Sequence, residues 1–137
     1  MPVVIDTSVL VAGLLARRGA ASALVAAFFA DRLAVAYTTA ILSEYAEVLA
    51  RPEFASVITP ADRIGVILKL RASGHLVIPV PVPDAAWPDR DDLPFVAAAL
   101  ATARKIIVTL NPRDFAPAGA CGVRVLSPSQ ARVELFA

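Results

Sequence analysis

Apolar residues follow two rhythms along this chain. Short, unbroken apolar runs rich in β-branched residues recur at "PVVID", "LAVAY", "HLVIPV", "KIIVTL" and "VRVL", and these predict buried strands. Between them lie longer segments with apolar positions at helical spacing. "SVLVAGLLARRG" has Ser8 as a candidate cap and Gly19 as a stop. "AASALVAAFFAD" predicts a second, very apolar helix, and "TTAILSEYAEVLAR" a third, opened by a threonine cap and ended by Pro52. Within the third, Glu47 and Arg51 stand at i, i+4 and can pair on a helix. "TPADRIGVILKLRASG" reads as a helix with Thr59 as cap, Pro60 in the first turn and Gly74 at its end. "LPFVAAALATAR" and "SPSQARVELFA" predict the last two helices, the latter capped by Ser127 with Pro128 behind it. "PVPDAAWPDRDD" and "NPRDFAPAGACG" read as loops.

Strands alternating with helices predict an α/β domain. The expected architecture is a three-layer α/β/α sandwich, with a central parallel sheet of about five strands covered on both faces. The length of 137 residues suits a single domain over residues 1–137, and the 58% apolar content supplies its core. No apolar run reaches the ~18 residues of a membrane span, and the opening residues lack the pattern of a signal peptide. The single Cys121 excludes an internal disulfide and fits a reducing, cytoplasmic setting, where it serves as a small apolar filler. One cysteine and one histidine, His75, do not make a zinc site of the usual kind. A net charge of +1 gives no global field toward nucleic acid, so binding to RNA would need a local basic rim.

Acids stand where an α/β sheet collects its sites, beyond the carboxyl ends of the strands. Asp6 ends the first strand, and Thr109, Asn111 and Asp114 follow "KIIVTL". Asp89, Asp91 and Asp92 precede the Ala-rich helix, and Glu44 lies in the helix after "LAVAY". Each has a plain structural role open to it: Asp6 and Asp92 as helix caps, Glu44 as a solvated helix residue, Asp114 as a turn former. Together they propose one pocket. Carboxylates gathered there repel, and either protonation or a cation relieves the repulsion. An all-oxygen donor set suits magnesium or manganese, the chemistry of metal-assisted attack of water on a phosphodiester.

The blocks "VVIDTSVL", "SEYAEVLARPEF", "DRDDLPFVAAAL", "IIVTLNPRDF" and "VRVLSPSQ", in that order, resemble the PIN-domain ribonucleases, and among them the VapC-type toxins of bacterial toxin–antitoxin pairs. The resemblance implies that Asp6, Glu44 and Asp92 bind metal and are catalytic, with Asp91 as a substitute for Asp92. Many members carry a further acid where this chain has Asn111; here the acid comes later, as Asp114, and either residue is a candidate to complete the site. Thr7 and Ser8 match the hydroxyls beside the first aspartate, and Thr109 can assist from across the site; capping and turn formation are their structural alternatives.

The resemblance also implies an RNA substrate, single-stranded or structured like transfer RNA, and a cognate antitoxin that fills the acidic groove or an apolar one beside it. A homodimer is a further expectation. The helices "VLVAGLLA" and "ALVAAFFA" are candidate walls for either contact, with core packing as the alternative. Arg17, Arg51, Arg90 and Arg113, with Arg18 beside Arg17, are candidates to meet phosphate, and Tyr45 and Trp87 to stack on unpaired bases. Trp87 can equally pack under its loop, and His75 reads as structural. A magnesium- or manganese-dependent endoribonuclease toxin is the leading expectation. A silent PIN-like module that binds RNA or protein is the second, and an aspartyl-phosphate phosphatase or response regulator the third.

Overall fold

The computed structural model describes residues 1–136. Its strands are β1 (Val4–Ile5), β2 (Ala36–Tyr37), β3 (His75–Leu76), β4 (Ile106–Val108) and β5 (Arg124–Leu126), and every pairing between them is parallel. β4 lies between β1 and β5, β2 pairs with β3, and the bridge Val3–Val35 joins the two groups. The resulting order is 3-2-1-4-5. The helices are α1 (Thr7–Leu15), α2 (Ala20–Phe29), α3 (Thr39–Leu49), α4 (Pro60–Ser73), α5 (Leu93–Leu100) and α6 (Pro128–Phe136). Right-handed crossovers place α1 to α4 on one face and α5 on the other. The packing agrees: Leu10, Leu24, Tyr45 and Leu70 share a core with Ile5 and Val35, while α5 lies against β1, β2 and β4. The chain is the expected three-layer α/β sandwich.

The strand order decides where a site can form. From β1 the chain moves outward to β2 and β3, then returns across the sheet to β4 and β5. The direction reverses between β1 and β4. A crevice opens at such a switch point, above the carboxyl ends of the two strands. Asp6 follows β1 there, and Thr109 follows β4.

Several local expectations are corrected. The strand at "HLVIPV" closes after Leu76; Val77 still donates to the Tyr37 carbonyl, but Pro79 and Pro81 have no N–H for a ladder. The loop "NPRDFAPAGACG" is instead a kinked 3₁₀ segment, Pro112–Cys121, ended by Gly122 in the left-handed region at φ 82°. α1 stops at Leu15, before Gly19. That glycine, at φ 107°, makes the corner that starts α2. Arg51 lies outside α3, extended because Pro52 follows it, so the helical Glu47–Arg51 register is lost and no ion pair forms between them among the described residues. Other caps are as read: Thr59 and Asp62 form a reciprocal capping box, Thr38 caps α3, and Ser127 and Gln130 cap each other.

No single helix among the described residues is long and apolar enough to cross a membrane; α1 and α2 reach that length only as a pair, bent by 95°.

Candidate metal and nucleic-acid cleft

β1 delivers Asp6 to the switch point with its side chain almost buried, at 7% exposure. Asp6 occupies the cap position of α1 in extended conformation, yet its carboxylate does not cap. Instead Oδ2 accepts two hydroxyl hydrogen bonds, from Ser8 Oγ at 2.7 Å and from Thr109 Oγ1 at 2.7 Å. Ser8 is therefore not the cap that its position suggested; it sits in the first turn and orients Asp6. It also accepts from the Leu110 N–H at 3.3 Å, and Thr109 Oγ1 accepts from the Asn111 N–H at 3.0 Å. The hydroxyls thus tie the ends of β1 and β4 into one frame.

α3 brings the second acid. Thr7 Oγ1 donates to Glu44 Oε2, and Tyr45, the next residue, donates its hydroxyl to the Ile5 carbonyl. Both bonds hold α3 against the β1–α1 junction. Tyr45 is 2% exposed and tilts against Phe95, so it is a core residue and not the base-stacking platform suggested by its side-chain type. The expectation failed because the helical period places Tyr45 on the inward face with Ile41 and Leu49.

The third group comes from the acidic loop. Asp89 accepts from the Asp91 N–H at 2.9 Å and so caps the short 3₁₀ turn Arg90–Asp92. Asp92 stands at the start of α5 with no capping hydrogen bond, leaving its carboxylate free of that role.

Asp6, Glu44, Asp89, Asp91, Asp92 and Asp114 all line one open cleft of about 560 Å³. Thr7, Ser8 and Asn111 line it as well. Thr109 stands behind it, fully buried, holding Asp6. The electrostatics record the crowding. Burial raises the Asp92 carboxyl to about 7, and the charges of Asp6, Asp89, Asp114 and Glu44 push in the same direction. Burial also raises Glu44; the Thr7 hydrogen bond opposes this, Asp6 and Asp91 reinforce it, and Arg51 opposes it.

Of the arginines, Arg51 lines the cleft. Arg17, Arg18, Arg90 and Arg113 are exposed and stand outside its lining. Trp87 packs against the core and donates to the Pro83 carbonyl at 3.2 Å, its loop-packing alternative. His75 is exposed and lies in β3 itself. Val11, Ala12 and Leu15 of "VLVAGLLA", a candidate wall in the sequence, line the other half of the cleft, and the sequence reading missed its remaining members: Val48 from α3, then Phe54 and Leu110. Val48 stands at i+4 from Glu44 and so shares its helix face, but apolar helix positions ordinarily denote core; Phe54 and Leu110 lie outside the α-helices and carried no such signal.

The donor chemistry fits a hard divalent cation. Asp6 and Glu44 each keep one carboxylate oxygen without a hydrogen bond among the described residues, and Asp92 keeps both. Neutralising charge would also relieve the repulsion that adds to the effect of burial on Asp92. The spacing is looser than a finished cage: among the described residues no three Asp, Glu, His or Cys side chains close up into a ready metal site.

No curated protein matches the chain. The PIN domain family model matches residues 2–113, from the start of β1 through β4 to the segment that carries Asn111. With that match over most of its length, and with this nuclease-type α/β fold, the chain belongs to the PIN domain family.

Proposed function

We propose that the protein is a magnesium- or manganese-dependent endoribonuclease, acting as the toxin of a bacterial toxin–antitoxin pair. The observation that carries the nuclease reading is the convergence of Asp6, Glu44, Asp92 and Asp114 from four separate segments on one cleft at the sheet's switch point. Asp6, Glu44 and Asp92 would hold the cation through their carboxylate oxygens, with Asn111 assisting through its amide. The cation would supply charge neutralisation at the phosphate and a lowered pKa for water.

The chain's own residues do the positioning. Ser8 and Thr109 fix the Asp6 carboxylate from two sides, and Thr7 fixes Glu44. Asp114, which lines the cleft and is the acid nearest in sequence to Asn111, would accept a proton. Arg51 meets the phosphate of an incoming strand. Cleavage of RNA by the purified protein in magnesium or manganese, lost in Asp6→Asn and Asp92→Ala and in excess chelator, is the expected result. The two variants should keep the wild-type circular dichroism spectrum. Undiminished cleavage by Asp6→Asn would remove the nuclease reading. The toxin assignment is tested separately: expression should arrest growth, and co-expression of a neighbouring antitoxin gene should relieve it.

A second reading, a silent module that binds RNA or protein, draws on Asn111 in place of an acid and on the loose spacing of the carboxylates. Calorimetric titration separates the two. No heat from magnesium or manganese up to millimolar concentration would favour the silent module.

A further inference from the structure

The cleft has two ends of opposite character. The acids crowd the end nearest Asp6. From there the groove runs between α1 and α3 toward Val11 and Leu15 on one wall and Val48, Arg51 and Phe54 on the other. Ser8 and Leu15 stand two helical turns apart on α1, so the groove extends about 10 Å beyond the first acids. Leu15 is 40% exposed; Phe54 packs against the core yet is only half-buried and lines the cleft, which leaves apolar surface open to an occupant. Arg51 is the cation of this lining and makes no ion pair among the described residues.

An occupant with an apolar part and an anion beside it complements this lining. A nucleotide has both. The acidic end repels a polyanionic strand, so a cation beyond that end is needed to seat the backbone, and Arg51 stands there. A base held in a duplex is stacked between its neighbours and does not reach such a wall; an unpaired base does, and any base offers a face for an aromatic ring. We infer that the apolar end of the cleft is a subsite for one unpaired nucleobase of the RNA strand, with Phe54 as its stacking face and Arg51 on the adjoining phosphate. The subsite fixes which bond lies over the acids. This inference rests on the nuclease reading of the cleft.

The test pairs a protein change with a substrate change. Single-stranded RNA oligonucleotides carry one abasic ribose, moved position by position past the cleavage site, and kcat/KM is measured with wild type, Phe54→Leu and Phe54→Tyr. Phe54→Leu keeps apolar bulk and Phe54→Tyr keeps the ring; thermal melts establish that both are folded. For wild type, one abasic position should lower kcat/KM roughly tenfold, mostly through KM. Phe54→Leu should show the same loss on intact RNA and no further loss at that position, while Phe54→Tyr, which keeps the ring, should retain the abasic loss at that position. Fluorescence anisotropy of the same oligonucleotides should follow the same order. Equal losses for Phe54→Leu on intact and abasic RNA would make the effect structural and overturn the subsite. Wild-type behaviour of Phe54→Leu throughout also overturns it, and leaves the apolar end to a protein ligand while the nuclease reading stands. Wild type that cleaves no RNA defeats both.

Discussion

Thr109 is the side chain on which the acidic end of the cleft turns. It is fully buried, donates to Asp6 Oδ2 at 2.7 Å and accepts from the Asn111 N–H at 3.0 Å. Thr109→Val keeps the shape and removes both bonds, leaving the nearly buried Asp6 carboxylate with Ser8 as its one hydroxyl donor and the Asn111 N–H without its partner. The expected cost is about 1–3 kcal/mol in denaturant unfolding, together with weaker cleavage; a variant as stable and active as wild type would refute this clamp. Asp92 makes a pH prediction. Its ordinary pKa is 3.8 and the fold lifts it to about 7, chiefly through burial. An acid raised by folding binds its proton more tightly in the native state. Its stabilising effect is complete below the ordinary value and disappears as pH rises through the raised one. In chelator, the melting temperature should therefore fall between pH 4 and pH 7, and Asp92→Asn should flatten that slope. The same slope in both proteins would locate the titration elsewhere. At this scale the sequence disclosed residue types faithfully and roles only partly. Asp6 and Asp92 each had a helix-cap role open beside the metal-binding expectation, and neither carboxylate caps a helix. For Asp6, one of the two hydroxyls that take up the carboxylate comes from Thr109, 103 residues away.

α1 and α2 meet so closely that Gly13 has no space for a side chain. A Cβ there would press on Val25 and lie 2.7 Å from the Ala21 carbonyl oxygen. Gly13→Ala should destabilise by about 1–3 kcal/mol through overpacking, read as a lower midpoint in denaturant. Because α1 also carries Thr7 and Ser8, the same variant should weaken cleavage more than the stability loss alone explains. A midpoint at or above wild type would mean that the two helices part without cost. Element positions were largely legible, since caps and periodicity are local. The ends were less so. Pro79 and Pro81 shorten the strand at β3, and Pro52 pulls Arg51 out of α3. That last change matters to function: an arginine expected to pair along a helix is instead free to face the cleft.

At the scale of the whole molecule, the strand order 3-2-1-4-5 puts the reversal between β1 and β4 and so decides where the acids gather. A cation binding to the folded cleft should stabilise the entire domain by linkage. Held at 100 times its dissociation constant, the ion adds about 2.7 kcal/mol. The melting temperature should rise on adding magnesium or manganese and fall back with chelator, and Asp6→Asn should lose most of the rise. An equal rise in the variant would assign the ion to another place.

The sequence alone determined the alternation of strands and helices, the parallel α/β class, and the set of oxygen-bearing side chains, because these depend on local periodicity and residue chemistry. Tertiary structure alone decided that Tyr45 faces the core while Phe54 lines the cleft, that Arg51 and not Arg17, Arg90 or Arg113 reaches its lining, and that Asp6 is clamped from both sides. Those outcomes follow from which faces meet when β1 and β4 pair and α3 docks on their ends, and no window of neighbouring residues contains that information.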